Sequence, residues 1–290
     1  MNSILLRPRR KDELSNWTRL VLFFIFWLFA SALFYLPIII LYPDFMEGSR
    51  TDFENLYSSN PFFLFLSQAG LLAGVFVAIY LMAVQIEKRK MGDVGLTFSA
   101  IYLVRGFILG AFIMTVFALL ALSLHLVEFS FSRISYSVPF GLLIYLLVSV
   151  GEEVIVRGYV ITNMREKLST WYAVLFSSLL FGVLHIFNNN FSWIGFTNIS
   201  LSGVLMGIVV IKSKSISASV GLHWSWNFIQ GTIVGFNVSG HFEKGVFDVN
   251  PLASSMLTGG DFGAEGSILL IPITIVAIYF VWRSNFFRVE

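Results

Sequence analysis

From Leu20 to Tyr42 the chain runs for 23 residues without a charged side chain, longer than the roughly 20 needed to cross the hydrocarbon core of a bilayer. Seven further stretches read the same way: Phe62 to Val84, Gly106 to Leu124, Val138 to Met164, Thr170 to Phe187, Phe191 to Ile211, Ile216 to Phe236 and Gly266 to Trp282. In lipid every backbone N–H and C=O must find a partner within its own segment, so each stretch is predicted to be a helix. The expected fold is therefore all-α, a polytopic membrane bundle of about eight transmembrane helices. Charged residues make up only 12% of the chain and mean hydropathy is +0.80. Half the usual charge excludes a water-soluble enzyme or a disordered chain. The last span is short and carries Pro272.

Basic residues set the orientation, because cytoplasmic loops carry the excess of Lys and Arg. Arg7, Arg9, Arg10, Lys11, Lys88, Arg89, Lys90, Arg165, Lys167, Lys212, Lys214, Arg283 and Arg288 all fall on the side of the N-terminus. The other side holds Arg50, Arg133 and Lys244, while Arg19, Arg105 and Arg157 sit at or inside the spans. Both termini are expected in the cytoplasm. Although basic residues precede the first span, its length and the lack of a small-residue cleavage site read as an uncleaved anchor.

The scattered basic residues make no nucleic-acid footprint despite a pI near 8.8. There is no cysteine, hence no disulfide framework, thiolate metal site or cysteine nucleophile. Three regions are expected: helices one to three with their loops (1–137), a core of four helices (138–236), and an outer loop with the last span (237–290). The outer stretch Asn237 to Glu265, rich in glycine, reads as a plain solvated loop.

Ionisable side chains inside a span are costly, so each is a functional hypothesis. The fourth span carries Glu152, Glu153 and Arg157, the fifth His185, and the seventh His223 and Asn227. Glu153 and Arg157 sit four apart on one helix face and are expected to pair. That leaves Glu152 without a local partner. At about 1.5 Å per residue, Glu152 stands roughly 18 Å above the cytoplasmic end of its helix, His185 about 22 Å, His223 about 12 Å and Asn227 about 18 Å. Four polar groups on three helices thus share one band of depth. A carboxylate in a low dielectric can serve as general base on a water. Imidazoles can polarise a carbonyl, donate to an oxyanion or bind a metal, and an amide can donate to the oxyanion. His185 and His223 are the candidate metal ligands; zinc suits these nitrogen and oxygen donors, but the set does not demand it.

The strings Glu152-Glu153-x-x-x-Arg157, Phe181-x-x-x-His185 and His223-x-x-x-Asn227, in this order on successive membrane helices, resemble the CPBP family of intramembrane proteases (CAAX-processing and bacteriocin-processing enzymes, also called Abi), in its prokaryotic form. The resemblance spans roughly residues 138 to 236. It implies a peptide hydrolase of the cell membrane with Glu152, His185, His223 and Asn227 catalytic and Glu153, Arg157 and Phe181 in support. It further implies a membrane-bound peptide or protein as substrate, with the bilayer as surroundings. Whether zinc or no cofactor serves the reaction is left open by the motifs.

Other protease chemistries lack their signatures. There is no H-E-x-x-H and no pair of intramembrane aspartates, and Ser200-Leu201-Ser202-Gly203 lacks the first glycine of a rhomboid-like motif. Ser239-Gly240-His241 reads as loop, and Trp224, directly after His223, as packing. Two other classes compete: a non-catalytic scaffold or immunity protein of the same fold, in which the polar groups only fasten helices, and a proton-coupled carrier. A scaffold would tolerate Glu152→Gln. A carrier would show matched broken helices in two halves, which the sequence lacks.

Overall fold

The computed structural model describes residues 14–42, 60–132, 137–242 and 244–289. Arg7, Arg9, Arg10, Lys11, Arg50 and Arg133 lie outside the described residues. The architecture is a polytopic helix bundle: α1 (Asn16–Leu41), α2 (Pro61–Ile79, prolonged by a π-helical segment Tyr80–Ile86), α3 (Ala100–Ser123), α4 (Ser137–Glu153, running on through a π segment Val154–Val160 to Met164), α5 (Thr170–Leu184), α6 (Trp193–Ser213), α7 (Ser217–Asn227, with a π segment Phe228–Val234) and α8 (Leu270–Arg283). Five of them, α1 to α4 and α6, are long and apolar enough to cross a membrane. α5 and α8 have 15 and 14 residues, and α7 is the most polar. The eight expected spans are thus present as helices, three of them shorter or more polar than a free-standing span needs.

Local chemistry sets the helix starts. Ser15 accepts the Thr18 amide hydrogen at 3.1 Å ahead of α1. Asn60 accepts that of Phe63 at 3.0 Å, with Pro61 in the first turn of α2. Ser192 accepts that of Gly195 at 2.9 Å ahead of α6. Each satisfies an amide that the first turn cannot.

Two faces of the bundle are tied differently. On the face toward the N-terminus of α1, Arg19, Glu87, Arg89 and Glu166 form a buried network. Arg19 pairs with Glu87 at 3.2 Å and with Glu166, Arg89 reaches the same two acids at 3.0 and 3.1 Å, and Tyr159 donates to Glu87 at 2.5 Å. Asn16 and Asn163 add reciprocal bonds between side chain and backbone at 2.5 and 2.9 Å. Nearby on that face, Thr97 donates to the Lys214 carbonyl and Lys212 to the terminal carbonyls of α8. This is the basic face.

The opposite face carries a cap. β1 (Val127–Phe131) pairs antiparallel with β2 (Phe247–Pro251), Val127 opposite Pro251. The stretch 237–265, expected to be a plain solvated loop, is instead folded onto the bundle. Phe262, Ala264 and Glu265 are buried, Asn198 of α6 donates to the carbonyls of Glu265 and Ser267 at 2.7 and 2.8 Å, and Asn188 to that of Ser239 at 2.9 Å. Glycine is what lets it fold so closely. Gly240 and Gly263 have φ of +87° and +96°, and a Cβ on either would collide with a carbonyl oxygen, of Asn189 or Asn237.

α3 and α7 meet backbone to backbone. A Cβ on Gly106 would strike the Ala218 carbonyl, one on Gly110 that of Leu222, and one on Gly221 that of Leu103. Small residues at such seams let helices approach where lipid gives no hydrophobic drive. The seam fixes α7, and with it His223 and Asn227.

Candidate active site

α4, α5 and α7 converge on Glu152. Its Oε2 stands 3.9 Å from His185 Nε2 and 3.9 Å from His223 Nε2. That oxygen is buried and accepts no hydrogen bond, although the side chain as a whole is 35% exposed, into a cavity. The three helices thus bring together the polar groups expected at one depth.

The neighbouring acid has another environment. Glu153 is fully buried, with its Oε1 3.0 Å from Arg157 Nη1 and 3.0 Å from His223 Nδ1. The expected ion pair is present and takes in a histidine as well. Phe181 packs at the centre: its ring lies 4.4 Å from the Arg157 guanidinium, 4.7 Å from the His185 ring and 5.8 Å from that of His223. It seals the ion pair from the cavity and holds both imidazoles by their edges.

Hydrogen bonding fixes the tautomers. His185 Nδ1 lies 2.7 Å from the Phe181 carbonyl, which only accepts, so Nδ1 carries hydrogen. His223 Nδ1 faces a carboxylate already paired with arginine, so it carries hydrogen too. Both Nε2 atoms therefore point at Glu152 with either a lone pair or, in an imidazolium, a second N–H. A water molecule placed among the three can donate to the Glu152 oxygen and to a neutral imidazole.

The cavity has a volume of about 420 Å³. One end is apolar, walled by Trp27, Leu72 and Val148 among others; the other is polar, where Asn227, Asn188, Ser239, His241 and Glu265 join the two histidines. Trp226 also lines it, whereas Trp224 is packing: its indole donates to the Leu142 carbonyl at 2.7 Å and its ring abuts Phe107.

Three lining residues were not legible as site residues. Ser239 and His241 read as loop, and Glu265 carried no pattern at all. Glu265 accepts from the Gln230 amide and, at 3.4 Å, from the Ser239 amide hydrogen. Burial pushes its carboxyl above the ordinary range, against the opposing pull of those donors. An acid directly ahead of an apolar span was the one signal available.

Among the described residues no group of three His, Cys, Asp or Glu side chains is arranged to hold a metal ion.

Residues 134–229 match the family model for type II CAAX prenyl endopeptidase Rce1-like proteins, a stretch that takes in α4 to α6 and most of α7. No curated protein and no solved structure matches the chain significantly. The segment that positions Glu152, His185, His223 and Asn227 is thus similar to the Rce1-like proteins, type II CAAX prenyl endopeptidases of the CPBP family.

Proposed function

We propose that the chain is an intramembrane endopeptidase that hydrolyses a peptide bond of a membrane-associated peptide or protein through a water activated by Glu152. The observation that carries this reading is the unbonded Glu152 oxygen facing two imidazole Nε2 atoms at 3.9 Å inside a cavity. A purely structural acid would be paired, as Glu153 is.

A water held between Glu152 and His185 Nε2 gives one proton to the carboxylate as its oxygen attacks the scissile carbonyl carbon. The negative charge that develops on the carbonyl oxygen is met by His223 Nε2–H and the Asn227 amide. His223 offers that hydrogen as imidazolium, because its Nδ1–H is already given to Glu153. Collapse of the tetrahedral intermediate breaks the C–N bond, and Glu152 returns its proton to the departing amine. The substrate must be unwound at the cleavage point, since a helical backbone is hydrogen-bonded to itself.

The test is cleavage of membrane-anchored and prenylated peptides by the purified chain, wild type against Glu152→Gln. The variant is expected to keep its thermal melt and lose at least about 100-fold in rate, the lower bound for a general base. Equal cleavage by both would overturn the role of Glu152.

A further inference from the structure

The cavity is one-sided. On the cap face it runs out to loop residues Asn188, Ser239, His241 and Glu265. Toward the basic face its deepest lining residues are Trp27, Val75, Val156, Met206 and His223. Between each of these and the basic end of its helix remain six to eleven residues, about 9 to 16 Å of helix. That layer is solid. Met82, Ala83, Val160 and Asn163 are wholly buried in it, and the Arg19–Glu87–Arg89–Glu166 network closes the helix ends beneath.

The helices agree with this polarity. α5 stops at Leu184, only about 22 Å from its start, short of the roughly 30 Å hydrocarbon core. Beyond it the chain makes non-helical turns through 185–192. Non-helical backbone at membrane depth is tolerated only where protein buries it or water reaches it. Here it borders the polar end of the cavity, with His185 and Asn188 in the wall.

We infer that water and substrate reach Glu152 from the cap face, and that the substrate is a membrane-anchored polypeptide whose cleavable stretch is presented at that face. By the bias of Lys and Arg toward the other face, it is the extracytoplasmic one. The reading of the chain as a hydrolase underlies the word substrate; the route of access does not depend on it. The apolar end of the cavity takes the part of the polypeptide still in lipid, and the end built from Asn188, Ser239 and Glu265 takes the backbone that has left its helix.

The chain has no cysteine, so single cysteines report accessibility without background. Val148→Cys and Ser239→Cys probe the cavity, Ser254→Cys the exposed cap and Thr97→Cys the exposed basic face. Each is treated with a charged, membrane-impermeant maleimide in right-side-out and in inverted membrane vesicles. The cavity cysteines and Ser254→Cys are expected to react in right-side-out vesicles and stay at background in inverted ones, with Thr97→Cys reversed. Cavity labelling that follows Thr97→Cys would overturn the inference. So would failure of both cavity cysteines to react from either side in proteins with a wild-type melt, and so would Ser254→Cys reacting only in inverted vesicles. The readout needs no turnover. A failed cleavage assay with correct labelling therefore counts against the hydrolase alone, and cleavage with reversed labelling counts against the access route alone.

Discussion

His223 Nδ1 and Glu153 Oε1 are 3.0 Å apart, and the same carboxylate oxygen takes Arg157 Nη1 at 3.0 Å. One acid thus holds a cation in the core and a histidine at the cavity wall. Glu152, its neighbour in sequence, points the other way and holds nothing. Two adjacent glutamates therefore sit in opposite surroundings, one paired in the core and one facing the cavity.

The two are expected to separate cleanly by substitution. Glu153→Gln strands the buried Arg157 charge, and breaking such a pair costs about 3–5 kcal/mol. Thermal unfolding in detergent should show a large loss for Glu153→Gln and almost none for Glu152→Gln. The reverse ranking would contradict the assignment.

Gly106→Ala should act on the site from a distance. The added methyl meets the Ala218 carbonyl, so α3 and α7 must part; overpacking of this kind costs about 1–3 kcal/mol. His223 and Asn227 ride on α7, so a lowered melt should come with slower cleavage. An unchanged melt would show that the seam yields without cost.

Glu265 predicts a pH dependence. Its folded carboxyl is raised by burial, so the folded state binds the proton more tightly than the unfolded one. Its contribution to stability is fully present below the ordinary carboxylate value and is lost as pH rises through the elevated one. Melting temperature should decline over that interval in the wild type, and Glu265→Gln should flatten the decline. An equal slope in both would assign the effect elsewhere.

Asn198→Leu removes the amide that donates to two cap carbonyls. Leaving buried acceptors unmet costs about 1–3 kcal/mol, and the cost should appear locally. Limited proteolysis is expected to cut within 237–265 faster than in the wild type while the helices persist. Unchanged cutting would show that the cap is held by other contacts.

Much of this was readable from the chain because lipid narrows the choices. The long apolar runs could only be helices, and Glu152, His185, His223 and Asn227 stood out because their depths agree. The cap was not readable. Its stability comes from glycines at positive φ and from asparagine and glutamine amides reaching carbonyls far away in sequence, as Asn198 does to Glu265. Polar, glycine-rich composition looks the same whether those bonds form or water takes their place. For the same reason Ser239 and His241 passed as loop. The π segments after Glu153 and Asn227 left no mark on the hydropathy pattern either, since one extra residue per turn scarcely shifts an all-apolar stretch.

Two short helices, α5 and α8, are joined at their basic ends by the rings of Trp171 and Trp282, 4.7 Å apart, and both pack on α6. Their missing length therefore falls entirely on the cap side. A bilayer meeting this flank must pucker inward there or leave apolar acyl chain against polar backbone. This flank is therefore shorter than the roughly 30 Å hydrocarbon core it would meet. Shorter acyl chains should suit it, and thicker membranes should strain the flank that borders His185.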